Sequence, residues 1–353
     1  MSEEELIREE TQSQRKRYYW IDHVRGFIML LLVITEFLPI AIREATDITR
    51  FFLAHPDNST TATYMNIYDI GAPAFIFIMG LLMPLSFAHR KERDGVNKAV
   101  RHMIIRYGII LVLGLLVILI DHDFTLVEMN EKGVPVVIWD VLPTLGLVGL
   151  IALPFLWLKP KIRAIIATIM LVFYQIMLNY PTPTASFLRN YAIDSIHGGI
   201  FGTIFGFSAI MVYATCLGEV MLLNKDYSEK KKYEIYAIVG VIALVGGLLL
   251  WLIPGWYPNK RQVTLTYISI SLGTTILLSF ILIGLDKKVQ KPIFILDSYG
   301  KSPFIIYVIA IVLEFLISDI IGYKIDILIF IIMIIVMSAI AILLDKWGKI
   351  IKL

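Results

Sequence analysis

Apolar stretches long enough to cross a lipid bilayer recur along this chain from Gly26 to Leu344. A hydrocarbon layer about 30 Å thick needs roughly 20 apolar residues of helix. Lipid cannot satisfy backbone polar groups, and barrel strands would be shorter and alternate in polarity, so each stretch is predicted to be a helix. The composition, 58% hydrophobic and 17% charged over 353 residues, is also too apolar for a soluble protein. We therefore predict an all-α, polytopic helix bundle in a membrane.

Charged or turn-rich breaks divide these stretches into about ten transmembrane helices. The predicted spans are 26–43, 69–88, 103–120, 138–158, 162–179, 198–223, 235–253, 263–285, 303–318 and 325–344. They make one membrane domain over residues 25–345. A cytoplasmic arm, 1–24, without a cleavable signal pattern precedes this domain, and a short cytoplasmic tail, 346–353, follows it.

The distribution of Lys and Arg predicts the orientation of the bundle, because cytoplasmic loops retain positive charge. With the N-terminus inside, the inner segments hold most of the 32 Lys and Arg residues. Both termini are therefore predicted to be cytoplasmic, and the plasma membrane is the expected location. The basic residues are dispersed among short loops, which argues against a nucleic-acid partner. A homo-oligomer is left open.

Glu36 is the most informative residue of the first span, because a charge at the bilayer centre costs at least ~2.5 kcal/mol. It follows Arg25 by eleven residues, roughly 16 Å along a helix. Pro39 leaves the carbonyl of Thr35 without its helical partner and predicts a bend there. An acid in this setting is functional by default, and the alternative is a buried acid hydrogen-bonded to neighbouring helices.

The first outer loop, about 44–68, is the longest predicted loop and carries several ionisable groups. Within it, His55 is the natural proton acceptor, because imidazole titrates near neutral pH. A solvated loop histidine is the alternative. Asp69 precedes Pro73 by four residues, so the Asp69 carbonyl loses its helical partner and the mouth of the second helix should be polar and irregular.

Further polar residues fall on the same outer side and could line a cleft with His55. Those predicted to bind the substrate are Asp140, His197, Asn259 and Lys260. Taken singly, each could instead be a solvated loop residue. Glu314 lies deep in the ninth span without an assigned partner. The four-residue spacing of Gly198, Gly202 and Gly206 predicts close helix packing.

A metal site is not predicted. The six histidines are scattered and show no pair at metal-ligand helical spacing. The one cysteine, Cys216, lies inside an apolar span, where a thiol usually serves as a small packing residue.

Several blocks resemble, in order along the chain, the heparan-α-glucosaminide N-acetyltransferase family. The blocks are Ile21–Gly26 ahead of the first apolar helix, a loop with His55, Tyr68–Gly80, Gly199–Ile204, Pro258–Lys260 followed by Tyr267, and Gly300–Pro303 followed by Tyr307. The Arg25-Gly26 opening, with a polar residue eleven positions after the arginine, is also similar to the wider transmembrane acyltransferase superfamily.

The resemblance implies transfer of an acetyl group from cytoplasmic acetyl-coenzyme A to a sugar amine or hydroxyl, free or on a glycolipid, at the outer side. It implies a central catalytic role for His55, either as general base or as the group that transiently carries the acetyl group. Glu36 and Asp69 are predicted from their own positions to be catalytic residues beside it. Glu36 stands where the sugar N-acetyltransferases carry an asparagine and the superfamily often a histidine. A carboxylate can orient an imidazole, so the chemistry is retained. Basic residues of the inner side are expected to meet the phosphates of the coenzyme: Arg25, Arg101 and Arg106.

A secondary transporter is the alternative interpretation. The first and sixth spans are both interrupted, the first at Glu36 and Pro39 and the sixth at Gly198 and Gly199. Paired broken helices indicate a substrate site near the bilayer midplane. The two halves show no further similarity. A structural membrane protein without turnover is a third interpretation, which the buried acid and the polar outer residues disfavour.

Overall fold

A computed structural model describes residues 19–38, 64–129, 133, 135–179, 187, 191, 196–289, 293–317 and 326–347. Its helices are α1 Tyr19–Phe37, α2 Gly71–Asp94, α3 Val96–Asp121, α4 Val141–Ala152, α5 Pro160–Asn179, α6 Gly199–Leu223, α7 Glu229–Trp251, α8 Leu265–Val289, α9 Phe294–Lys301, α10 Pro303–Phe315 and α11 Ile327–Lys346. Two antiparallel strands, β1 Val127–Met129 and β2 Pro135–Val137, pair Glu128 with Val136. His55 and Pro39 lie outside the described residues.

Seven of the described helices are long and apolar enough to cross a membrane, and an eighth span results if α9 and α10 are counted together. Helix α4, with its continuation Leu153–Trp157, is a shorter apolar helix. Each predicted span overlaps one of these helices, and the prediction of an all-α polytopic membrane protein is confirmed. The count of ten and the cytoplasmic location of the termini stay predictions.

Helix α1 differs from the predicted first span at both ends. It begins at Tyr19 and ends at Phe37, and Leu38 is no longer helical. Glu36 therefore lies in the last turn of α1, where a carboxylate can reach a polar compartment beyond the helix end.

Helices α1 and α9 cross at two glycines, each of which faces the backbone of the other helix. A Cβ on Gly26 would overlap the Leu296 carbonyl, and a Cβ on Gly300 would overlap the Asp22 carbonyl. The buried side chain of His23 accepts a hydrogen bond from the Ile293 N–H at 3.0 Å, which satisfies one backbone donor at the start of α9. Close backbone contact of this kind stabilises helix pairs in lipid.

The bundle has α2 and α6 at its centre. In their most apolar stretches 72% and 67% of residues are buried, against 17% in α7 and 11% in α11, which lie at the periphery. The two central helices approach closely because Gly80 faces Met211 and Ala214, while Gly218 faces the carbonyl of Leu81. The apolar side chains of α7 and α11 are left to face lipid.

The chain bends by 86° between α9 and α10. An ion cluster secures this bend, since the Lys301 Nζ lies 2.6 Å from Asp297 Oδ2 and 2.7 Å from Asp345 Oδ1 on α11. Pro303 begins α10, where its missing N–H costs no helical hydrogen bond. Helices α1, α3 and α10 all terminate on one side of the bundle, which we call the cavity end. The opposite end, toward which Arg25 and Lys301 lie, is the basic end.

The α1–α9 crossing predicts that Gly26→Ala destabilises the protein. The added methyl group would collide with backbone that cannot move aside, so we expect a loss of about 1–3 kcal/mol in unfolding free energy. The control is Gly108→Ala on α3, where a Cβ would meet no atom within 4 Å. Thermal unfolding of the purified variants should show a lower Tm for Gly26→Ala alone. Equal Tm values would contradict the crossing.

Candidate active site

A cavity of about 440 Å³ opens at the cavity end. The final turns of α1, α3 and α10 bound it, together with the segments that precede α2, α4, α6 and α8. Its ionisable and polar lining consists of Thr35, Glu36, Asp69, His122, Trp139, Asp140, His197, Lys260, Tyr307 and Glu314. Five residues predicted for the site from the sequence thus converge on one space: Glu36, Asp69, Asp140, His197 and Lys260.

Asp69 and Lys260 form an ion pair at the wall of this cavity. The Lys260 Nζ lies 3.4 Å from Asp69 Oδ1, and the Asp69 side chain is fully buried. Asp69 Oδ2 accepts the Asn66 N–H at 2.8 Å. The Asp69 carbonyl, which Pro73 deprives of a helical partner, accepts the Tyr267 hydroxyl at 2.6 Å. Asp69 therefore joins the start of α2 to α8 and to the segment before it.

The segment that carries Lys260 is held by its own side chains. Asn259 Oδ1 accepts the Gln262 N–H at 2.9 Å, and the Asn259 N–H donates to Thr264 Oγ1 at 3.1 Å. The Gln262 carbonyl accepts the hydroxyl of Tyr174 on α5 at 3.0 Å. Asn259, predicted to bind substrate, is buried in this turn and is not part of the cavity lining. Its hydrogen bonds orient Lys260.

Val263 anchors the same segment in a groove of glycines on α6. A Cβ at Gly198, Gly202 or Gly206 would come within about 3 Å of the Val263 side chain. The glycines therefore make close contact with the turn that precedes α8, and not with a second helix as the spacing predicted. Val263 has φ 55°, a left-handed conformation that is rare for a β-branched residue. The surrounding packing holds it there, and this is consistent with strain stored near a functional site.

His197 and Asp140 face each other across the cavity wall. The His197 Nε2 lies 3.8 Å from Asp140 Oδ1. His197 is 7% exposed and has φ 55° and ψ 37°, followed by Gly198 and Gly199 at φ 71° and 58°. The glycines accept this left-handed turn at little cost, whereas His197 is strained by about 1–3 kcal/mol. The turn aims a buried imidazole into the cavity immediately before α6 begins.

Asp140 and Trp139 hold the wall opposite α1. Asp140 caps α4, since its Oδ1 accepts the Val141 N–H at 2.6 Å. The indole N–H of Trp139 donates to Thr144 Oγ1 at 2.9 Å and to Thr203 Oγ1 at 2.8 Å. These bonds tie the start of α4 to the π-helical part of α6, Gly202–Phe207. Such π-helical insertions are frequent at functional sites.

Two residues of α10 complete the polar lining. The Tyr307 side chain lies within electrostatic range of both Glu36 and Asp140, and Glu314 lies in the last turn. From the sequence, Glu314 is expected deep in the ninth span without an assigned partner, and Tyr307 belongs only to a block that resembles the acetyltransferase family. An acid in an apolar span was the signal for Glu314. A tyrosine in such a span carries no comparable signal.

The arginines predicted to meet the coenzyme lie toward the basic end. Arg25 pairs with Asp22 at 3.6 Å and feels the positive charge of Arg106. Within the described residues the buried Nε of Arg106 has no hydrogen-bond partner, and its guanidinium lies 5.5 Å from the ring centre of Tyr107. Arg101 is exposed on α3. Two guanidinium groups within mutual repulsion form a favourable environment for an anion.

A family model described as an acyltransferase domain matches residues 18–346, nearly the whole chain. The chain belongs to the acyltransferase 3 family. A search of curated proteins finds no match for it. Membership supports the predicted membrane acyltransferase superfamily. It also supports a transferase activity that moves an acyl group from a donor to an acceptor. It does not extend to the narrower heparan-α-glucosaminide group, and it gives no support to a transporter.

The side chains that line the cavity can be compared with those that acyl transfer requires. Among the described residues, no group of three or more His, Cys, Asp or Glu side chains could hold a metal ion. The cavity does supply carboxylates, two imidazoles, an ammonium group and a phenol within one space. These are the groups that move protons and stabilise an oxyanion during acyl transfer.

The Asp69–Lys260 pair predicts a measurable coupling in stability. Lys260→Met would leave the buried carboxylate of Asp69 without its cation, so we expect a loss of about 2 kcal/mol in unfolding free energy. In the double variant Asp69→Asn with Lys260→Met, the loss should be smaller than the sum of the two single losses. Lys230→Met, whose exposed side chain lies 3.9 Å from Glu234, is the control with little effect. Additive losses would rule out the coupling.

Proposed function

We propose that this protein transfers an acetyl group from acetyl-coenzyme A to an amine or hydroxyl of a sugar acceptor. The observation that carries the proposal is the convergence of Glu36, Asp140 and His197 on one cavity in a chain of the acyltransferase 3 family. A carboxylate beside an imidazole is the arrangement that general-base catalysis of acyl transfer uses.

His197 is the proposed proton acceptor among the described residues. Its Nδ1 is buried, so Nε2, which lies 3.8 Å from Asp140 Oδ1 at the cavity, is the nitrogen that takes the proton. The Asp140 carboxylate then stabilises the imidazolium that forms. The imidazole removes a proton from the acceptor, whose nitrogen or oxygen attacks the thioester carbonyl. The carbon–sulfur bond then breaks, coenzyme A leaves as a thiolate, and the imidazolium returns the proton to it. His55 remains a predicted catalytic residue in the same reaction.

The other polar residues of the cavity stabilise the charges that develop. As the acceptor attacks, the carbonyl oxygen of the thioester becomes negative, and the Tyr307 hydroxyl and Lys260 ammonium are donors suited to it. Glu36 stabilises the imidazolium or, when protonated, donates a hydrogen bond to the acyl oxygen. Asp69 acts through Lys260, which makes it a positioning residue in this scheme.

The donor is proposed to enter from the basic end, which the excess of Lys and Arg marks as cytoplasmic. Its phosphates would bind near Arg25 and Arg106, with Arg101 at the rim. Arg25 and Glu36 are eleven residues apart on α1, so the pantetheine arm has about 16 Å to cover along the helix. The acceptor is proposed to meet the thioester from the cavity end, on the extracytoplasmic side that the charge bias predicts. The plasma membrane remains the expected location.

The test is acetyl transfer by purified protein from radiolabelled acetyl-coenzyme A to amino sugars and neutral sugars. His197→Gln should lower kcat at least 100-fold, because general-base catalysis contributes about 10²–10⁴-fold, while leaving Tm unchanged. The control is His89→Gln, an exposed imidazole at the far end of α2, which should stay within twofold of the parent. His55→Gln in the same assay tests the predicted role of His55.

Two results would contradict the proposal. Full activity of His197→Gln would remove this imidazole from the reaction. The second result is that acetyl-coenzyme A does not protect the protein from thermal unfolding and that the protein acetylates no acceptor. Such a protein would not be an acetyltransferase of this kind.

A further inference from the structure

The cavity has an apolar wall that the proposed reaction does not use. This wall is built from the last turns of two helices, with Val117, Ile118 and Ile120 on α3 and Ile311, Val312 and Phe315 on α10. Most of the ionisable groups lie on the other walls, although Tyr307 and Glu314 belong to α10 and His122 follows α3. A ligand that fills the whole space must therefore offer both polar and apolar groups.

The apolar wall does not close toward the membrane. Helix α3 packs against α2 and α4, and α10 packs against α1 and α11. Among the described residues, α3 and α10 do not pack closely against each other. Ile120 and Val312 line the cavity while 59% and 44% exposed. Largely exposed side chains in the lining of the cavity indicate an opening between α3 and α10, which we call the slot.

The exterior at this slot is apolar. Leu113 and Leu116 on α3, one to two turns before Ile120, are 37% and 47% exposed, and Leu316 follows α10 at 38%. Exposed apolar side chains on spanning helices face lipid hydrocarbon. The slot therefore connects a polar reaction cavity with the interior of the bilayer, near the ends of two helices.

We propose that this slot is the lateral entrance for an acceptor that is anchored in the membrane by a hydrocarbon chain. The inference rests on the proposed function and names its acceptor class, a sugar carried on a lipid. The sugar enters the cavity between Glu36 and His197, while the chain stays in the slot and the adjacent leaflet. The hydrocarbon chain stays out of water in the leaflet, so it raises the local concentration of a weakly bound sugar beside the slot.

The location of the slot favours the acceptor over the donor as the source of the chain. The slot lies at the cavity end, whereas the arginines suited to the phosphates of coenzyme A lie toward the basic end. A donor that reaches the cavity through the bundle does not need an opening to lipid. An amphiphile that is already in the leaflet beside α3 and α10 does need such an opening.

The test uses dodecyl glucosaminide with a photoactivatable diazirine in its chain, added to the full-length protein in phosphatidylcholine nanodiscs. After irradiation, mass spectrometry locates the label. We expect labelling at 117–120 and 311–315 that exceeds labelling of the lipid-facing helices α7 and α11 at least threefold. Ile120→Trp, which narrows the slot, should reduce this excess at least threefold. The control is Ile109→Trp, which is 40% exposed on α3 but not part of the cavity lining, and it should label as the parent does.

Uniform labelling of all lipid-facing helices, or labelling that Ile120→Trp leaves unchanged, would overturn the slot. Competition by palmitoyl-coenzyme A, but not by unlabelled dodecyl glucosaminide, would also overturn it, because the chain would then belong to the donor. A labelled slot without acetyl transfer in the companion assay would defeat the proposed function and leave the lipid site standing. If free glucosamine and dodecyl glucosaminide are acetylated with equal kcat/KM and the slot is not labelled, the lipid entrance is overturned and the proposed function stands.

Discussion

The ion pair between Asp69 and Lys260 is the interaction on which the geometry of the cavity depends. A carboxylate that is fully buried beside a spanning helix must be paired, because an isolated charge there costs several kcal/mol. Lys260 is available only because Asn259 and Val263 hold its turn against α5 and α6. The same turn packs on the glycines that begin α6 and so positions His197. One electrostatic requirement thereby orders three segments that are far apart in sequence.

The basic end and the cavity end of the bundle carry different sets of ionisable residues. Toward the basic end, Arg25 and Arg106 supply positive charge, with the Asp22 carboxylate beside Arg25, and a polyanionic donor is proposed to bind there. The cavity end gathers acids, two imidazoles and a phenol around one open cavity. Helix α1 connects the two, since it carries both Arg25 and Glu36. In the proposed reaction the donor and the acceptor approach from different ends of the bundle, and α1 is the helix that spans the distance between them.

Much of the fold could be predicted from the sequence, because lipid leaves a hydrophobic segment few conformations. The spans, the anomaly of Glu36 and the close packing at Gly198, Gly202 and Gly206 all follow from local rules. The cavity could not be assembled in this way. Which polar residues meet depends on tertiary packing, so Asn259 was predicted to bind substrate whereas it builds a turn. Tyr307 was missed as part of the cavity because a phenol in an apolar span is unremarkable. The strained φ of His197 indicates a functional site, but in the sequence only the two glycines that follow could have predicted it.

The most direct measurement is a structure determined by cryo-electron microscopy with a non-hydrolysable thioether analogue of acetyl-coenzyme A. Our account predicts one continuous ligand, with its phosphates near Arg25 and Arg106 and its acyl carbonyl in the cavity between Glu36 and His197. A coenzyme whose acyl end lies outside this cavity, or whose phosphates bind at the cavity end, would contradict the account at its centre.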